Sequence, residues 1–199
     1  MKQSYNFGYS HKHSLLERDQ MVTGPIVVVF AGPPCSGKSI ASHWLASALP
    51  GIHLHVDAIL TAIIPGSDRC LQDRRLAYEV AARAIKPVLD RGLSVILACT
   101  YSRKEYRDWV VSSVPAEIPL VVIEFLVSVD VALARFENRR AHHAIDLTPA
   151  IVTDKVTAYP YGAGTATVNS EMTTDEIHRQ ILGSLDGTLD RRKWVEGGV

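Results

Sequence analysis

The sequence predicts a three-layer α/β domain, a five-stranded parallel sheet with helices on both faces. Three observations carry this. Short, continuous apolar runs rich in β-branched residues recur along the chain. Stretches with helical periodicity separate them, and Gly and Pro stand at the junctions. A strand that is apolar throughout, without alternation, is buried on both faces, as happens where helices cover a parallel sheet on both sides.

Each element follows in order. Residues 1–24 show no clear period and read as an N-terminal arm, with His11 and His13 solvated rather than bound to metal. Residues 26–31, Ile-Val-Val-Val-Phe-Ala, form the first buried strand. After a Gly/Pro-rich turn, residues 38–49 read as a helix stopped by Pro50-Gly51. Residues 52–56 alternate as a short second strand, and a short helix is expected over 58–63. Residues 71–91 read as a long helix closed by Gly92, with a kink expected at Pro87 near its last turn. Residues 93–98 give a third strand and 103–113 a helix. Residues 120–127 give a fourth strand whose apolar pattern only Glu124 breaks. Residues 129–140 and 149–158 read as helices, the first with Asp130 near its positive end and the second with Pro149 in its first turn. A short strand over 165–168 and a helix over 173–185 complete the domain, which leaves 191–199 as a tail.

Composition narrows the function. The 199 residues carry 21 Lys plus Arg against 21 Asp plus Glu, for a net charge of zero. That balance argues against broad, charge-driven nucleic-acid binding, while leaving a local basic patch open. The hydrophobic fraction of 47% suits one globular domain able to fold without a disulfide or metal staple. Cys35, Cys70 and Cys99 are too scattered for a disulfide framework or zinc site, and a reducing, cytoplasmic setting is expected. No apolar run approaches the ~18 residues of a membrane span, and the polar start of the chain lacks the layout of a secretory signal.

The chemistry concentrates in Gly32-Pro33-Pro34-Cys35-Ser36-Gly37-Lys38-Ser39, which fits G-x-x-x-x-G-K-[ST] without mismatch. Given usual glycine content, this pattern arises by chance in about one chain in a hundred of this length. A strand leads in and a helix leads out, which the pattern requires. Successive backbone N–H groups in such a loop form an anion cradle, and the glycines admit phosphate without a Cβ clash. The following helix adds its positive end. Lys38 is expected to face solvent until phosphate arrives, and then to reach the β- and γ-phosphates of ATP. The Ser39 hydroxyl is the expected Mg²⁺ ligand. Residues 32–39 and the following Ile40 are thus the candidate nucleotide site.

Asp57 follows the second strand, at the edge of the sheet where ligands gather in open α/β folds. Its carboxylate would take a proton from an acceptor hydroxyl, hold a Mg²⁺-bound water, or cap the short helix behind it. Spacing leaves all three open.

The phosphate loop, Val56-Asp57-Ala58-Ile59-Leu60 and the later blocks resemble the small P-loop kinases of the zeta-toxin, chloramphenicol phosphotransferase and polynucleotide kinase group, which have an AAA-type P-loop kinase domain. The resemblance spans about residues 25–185 and is strongest in the phosphate loop. It implies a P-loop NTPase fold over 25–190 with a small lid at about 135–148, and ATP and Mg²⁺ as cofactors. It also implies that Asp57 is the general base and that the arginines of Arg135-x-x-x-Arg139 close over the phosphates. Guanidinium groups suit that task because they stay charged and bind phosphate oxygens in pairs. Asp90-Arg91-Gly92 leads into the third strand as in the group, and Arg107 falls where the group tends to carry an arginine. The group's Asp-Ala-Thr is Ala98-Cys99-Thr100 here, so a carboxylate often found near the metal is missing. Asn169 and Ser170 fall where the group contacts adenine.

The expected function is therefore transfer of the γ-phosphoryl of ATP to the hydroxyl of an unidentified small-molecule acceptor. The alternatives are a regulatory nucleotide-binding module or slow NTPase, favoured by Ala98, and a 5′-hydroxyl polynucleotide kinase. Arg69, after Pro65-Gly66-Ser67-Asp68, reads as a surface-loop charge rather than an acceptor contact. His142 and His143 are expected at the surface, and Trp44 and Trp109 in packing.

Overall fold

A computed structural model describes residues 24–138 and 146–193, with side chains through 186. The expected arm over 1–24 and the lid residues Arg139, His142 and His143 therefore lie outside the described residues, apart from Gly24. Within them run β1 (Val27–Ala31), α1 (Lys38–Ala48), β2 (Gly51–His55), α2 (Val56–Ile63), α3 (Leu71–Leu89), β3 (Ser94–Cys99) and α4 (Lys104–Ser112). β4 (Leu120–Leu126), α5 (Val129–Asn138), α6 (Pro149–Thr157), β5 (Ala166–Asn169) and α7 (Thr174–Lys193) follow.

The sheet is parallel throughout, in the order β2-β3-β1-β4-β5. Its central strand explains the unbroken apolar run. Val27, Val29 and Ala31 point into one core with Leu60, Ala77, Ala81 and Ile85 of α2 and α3. Val28 and Phe30 point into the opposite core with Ala41 and Leu45 of α1 and Ile181 of α7. Every β1 residue is buried, so alternation has no solvent face to report. Ile96 of β3 is fully buried in the second core, where Ile96→Ala would cost about 2–5 kcal/mol.

The topology places the site. After β1 the chain passes over β3 to form β2, and after β3 it returns across β1 to form β4. The order thus reverses at β1, and the loop leaving β1 opens into the crevice such reversals create.

Two boundaries differ from the sequence expectation in ways that matter. Helix α2 starts at Val56, not 58, because β2 ends at His55 and the chain turns directly into the helix. Asp57 thus lies inside the first turn. His55 occupies the N-cap and no side chain caps the helix, so the capping role considered for Asp57 is corrected. Helix α7 runs to Lys193 rather than 185. Leu185 is the last buried apolar residue among those whose side chains are described.

Candidate active site

The phosphate loop is shaped by sterics before any ligand enters. A Cβ on Gly32 would lie 2.8 Å from Ser36 Oγ and 3.1 Å from Phe125 Cβ, so the loop packs against β4 only with glycine there. Cys35 and Gly37 both take left-handed backbone, at φ of 62° and 84°. That curl turns the chain into α1, whose N-cap Gly37 supplies no side-chain cap. Ser36 is fully buried, lines the cavity, and its Oγ has no hydrogen-bond partner among the described residues. A buried hydroxyl in that state is costly unless a ligand satisfies it. An uncapped helix start and an orphaned hydroxyl fit an anion.

Lys38 does not face solvent, contrary to the sequence expectation. It is 7% exposed, and its ammonium donates to Pro33 O at 3.0 Å, folded back over its own loop. Burial lowers its pKa, while the nearby Asp57 carboxylate opposes that shift. The flexible lysine stem reaches the loop carbonyl because the curled loop brings it close. Ser39 Oγ lies 2.9 Å from His55 Nε2 at the end of β2.

Asp57 faces the same cavity, of about 980 Å³, together with Lys38, Tyr78, Arg135 and Ser170. Its Oδ1 accepts from Arg69 at 3.2 Å. Arg69 is 6% exposed, so the reading of it as a surface-loop charge is corrected. Its guanidinium also donates to Thr61 Oγ1 at 3.0 Å and pairs with Asp146 at 3.4 Å. Arg74 completes the set, with its guanidinium on Asp146 and its Nε on Arg69 O at 2.8 Å. Sequence reasoning missed Arg74 and Asp146. They lie 72 positions apart, with no shared motif to join them.

Behind this ion network stands an aromatic wall. Tyr78 stacks on Tyr106 with ring centres 4.1 Å apart. The Tyr78 hydroxyl accepts from Tyr101 N–H and bonds Thr100 Oγ1, each at 3.0 Å. Burial raises the Tyr78 pKa well above the phenol range and pushes the Cys99 thiol up to about 12, so both stay neutral at physiological pH.

Arg135 is brought to the phosphate loop, though not as a free finger. Its guanidinium donates to Cys35 O at 3.3 Å, to Ser170 Oγ at 3.2 Å and to Ser170 O at 2.5 Å. It therefore ties the phosphate loop to the turn after β5, where Ser170 was expected. Ile40 is 76% exposed at the mouth, where Met172, Ile177 and His178 also line the cavity.

A further regularity concerns three non-glycine residues with left-handed backbone, Cys35, Arg69 and Tyr101. Each offers its carbonyl oxygen to an arginine: Arg135 on Cys35, Arg74 on Arg69, and Arg107 on Tyr101 at 3.1 Å.

Comparison with known proteins bears on this geometry. Residues 27–158 match the family model described as an AAA domain, which covers more than half of the chain and includes the whole phosphate loop. The chain belongs to this AAA-domain family. The solved structures similar to this AAA domain include a gluconokinase from Sinorhizobium meliloti, at 21% identity and a TM-score of 0.65, covering 85% of this chain and 97% of that one. A sugar kinase from a Janibacter species is similar at 18% identity and a TM-score of 0.63, covering 81% and 95%. The Mycobacterium tuberculosis APS kinase in complex with AMPPNP and APS is similar at 16% identity and a TM-score of 0.63, covering 82% and 98%. These likenesses establish the five-stranded α/β fold of small P-loop kinases. No curated protein sequence matches the chain. Among the described residues, no helix is long and apolar enough to cross a membrane.

Proposed function

We propose that this AAA domain is an ATP-dependent phosphotransferase acting on the hydroxyl of a small-molecule acceptor. The observation that carries the reading is that one cavity holds the phosphate loop, with its uncapped helix start and buried Ser36 hydroxyl, and the Asp57 carboxylate. Similar structures that are named sugar kinase, gluconokinase and APS kinase support it.

Residues 32–39 would hold the phosphates of ATP, and Ser39 would ligate Mg²⁺, which supplies charge neutralisation on the phosphates. Lys38 would exchange the Pro33 carbonyl for phosphate oxygens. A buried ammonium with a lowered pKa gains much from that exchange, because a dianionic partner favours its charged form. Asp57 would accept the acceptor's hydroxyl proton at Oδ2, since Oδ1 already takes the Arg69 bond. Arg69 would hold that carboxylate in place rather than meet the acceptor. The aromatic wall and the Arg74–Asp146 pair would shape the acceptor's side of the cavity.

ADP release measured across a panel of hydroxyl-bearing metabolites, antibiotics and 5′-hydroxyl oligonucleotides tests the proposal. One small-molecule acceptor is expected to accelerate release by orders of magnitude. ATP turnover indifferent to every acceptor would instead favour the regulatory module or slow NTPase.

A further inference from the structure

A serine hydroxyl has one proton and two lone pairs. To offer a lone pair to a cation, it must direct its O–H elsewhere, towards an acceptor. The residues around Ser39 decide where. Ser39 sits in the first turn of α1, and its Oγ lies 2.9 Å from His55 Nε2. His55 is the last residue of β2, and its register partner on the neighbouring β3 is Ala98, which is fully buried and offers only a methyl group. The oxygen that a polar side chain at 98 would bring is absent, and the imidazole from the adjacent strand reaches the hydroxyl instead.

The same pattern repeats one turn further along α1. Ser42 Oγ lies 2.9 Å from His53 Nε2, so two imidazoles of one strand face meet two serines of one helix face. His53 and His55 stand edge to face at 6.2 Å. Burial and the neighbouring His43 hold the His53 pKa down, so that ring accepts from Ser42 or donates as a neutral group. Ser42 also donates to Ser39 O at 3.1 Å, which leaves His53 Nε2 to donate its proton to Ser42 Oγ. Among the described residues Ser39 Oγ has no second hydrogen-bond acceptor, and His55 Nε2 accepts its O–H in the neutral tautomer protonated at Nδ1.

We infer that His55 is a positioning residue for the metal: its Nε2 accepts the Ser39 O–H and so turns a Ser39 lone pair towards the Mg²⁺ of bound Mg–ATP, in place of a carboxylate on β3. The inference rests on the phosphotransferase reading above. His55 does not line the cavity itself, so its effect on the metal runs through Ser39.

The test is calorimetric ATP binding, titrated against Mg²⁺, in the full chain. His55→Leu keeps the bulk of the ring without its nitrogen, and His55→Gln places an amide oxygen near the position of Nε2. In His55→Leu, ATP affinity without metal is expected within twofold of wild type. The Mg²⁺ needed for half-maximal tightening is expected to rise about tenfold. His55→Gln is expected to recover most of that loss. Ser39→Ala should reproduce the rise, and adding His55→Leu to it should change nothing more. A Mg²⁺ requirement in His55→Leu within twofold of wild type would overturn the inference. So would an equal loss of metal-free ATP binding, which marks a general packing role, or full additivity with Ser39→Ala. Wild-type protein that binds no ATP at any Mg²⁺ level would instead overturn the phosphotransferase reading, and this inference with it.

Discussion

The two sides of the cavity are built on different principles. The side proposed for the nucleotide is made from one contiguous stretch, residues 32–39, in which backbone shape does most of the positioning. The side proposed for the acceptor is made from side chains of α2, the loop before α3, α3 itself and the residues before α6, held by the Asp57–Arg69–Asp146–Arg74 network. The first has unmatched positive character, from the start of α1 and Lys38. In the second, two carboxylates face two guanidiniums and the charge is already balanced. A contiguous backbone site shows itself to sequence inspection because spacing and geometry are the same information. A side-chain network assembled by tertiary folding has no such spacing.

The contrast can be broken most sharply at Lys38. Lys38→Ala should abolish transfer and weaken ATP binding by at least about a hundredfold, against losses of ~10³ or more known for charge-stabilising groups in phosphoryl transfer. The thermal midpoint should hold or rise, since a desolvated ammonium is removed from a buried position. Calorimetry and a melting curve on one sample check both halves. Unchanged ATP affinity would mean that the backbone cradle suffices alone.

On the acceptor side, Asp57→Asn should lower transfer by about 10²–10⁴-fold, the usual range for a general base. ATP affinity should stay near wild type. If the mutant instead recovers transfer at high Mg²⁺, Asp57 belongs to the nucleotide side and the division between the two sides fails. Single-turnover kinetics over a Mg²⁺ series separates these outcomes.

Arg135 ties the phosphate loop to the turn after β5 and should show an intermediate effect. Arg135→Ala frees both Cys35 O and Ser170 O. ATP binding should weaken about tenfold and turnover fall further, measured by steady-state kinetics with ATP varied. An effect on turnover alone would show that the residue acts only on closure.

The smallest effect uses the thiols as reporters. Cys35 lies in the phosphate loop and Cys70 is exposed at the start of α3. ATP should slow alkylation of Cys35 several-fold and leave Cys70 unchanged. Buried Cys99, with its pKa raised to about 12, should resist labelling in the native protein. Mass spectrometry of labelled peptides reads all three. Protection of Cys70 would show that nucleotide binding reaches the acceptor network.

These differences explain what could be read in advance. β1, β3 and β4 were legible because apolar β-branched runs leave few alternatives, and β2 through the alternation of residues 52–56, whereas the short β5, Ala166–Asn169, was expected one residue earlier. The loop residues and Ser170 were placed through motif and resemblance, and Asp57 was placed at the sheet edge. Arg69 was not legible. A charged residue following Pro65-Gly66-Ser67-Asp68 has every local sign of a surface turn, and it is the tertiary contacts with Asp57 and Thr61 of α2 and with Asp146 that take it out of solvent. Asp146 gave no signal, since its partners lie 72 and 77 positions away. The buried state of Lys38 was equally hidden, because its acceptor, Pro33 O, is a backbone atom set by the curl of the loop. Glu124 broke the pattern of its strand visibly. Its Oε1 accepts from Ala163 N at 3.3 Å, so the break marks an anchor for the chain before β5.

The three arginine-held carbonyls have a consequence for how variants of this protein are sorted. Left-handed backbone at a non-glycine residue costs about 1–3 kcal/mol and persists only where its surroundings enforce it. At Cys35, Arg69 and Tyr101 a guanidinium helps hold the carbonyl, Arg135 from a hundred positions away and Arg74 and Arg107 from five and six positions further along the chain. Loss of such an arginine would let the local backbone relax to an ordinary conformation and recover part of that cost. The two hydrophobic cores would be untouched. Such a variant would express well, melt at a normal temperature and pass any screen for foldedness, while its cavity had lost its shape. For this molecule, selection on solubility or yield alone would therefore pass variants with a damaged cavity, and libraries need a ligand-binding step to remove them.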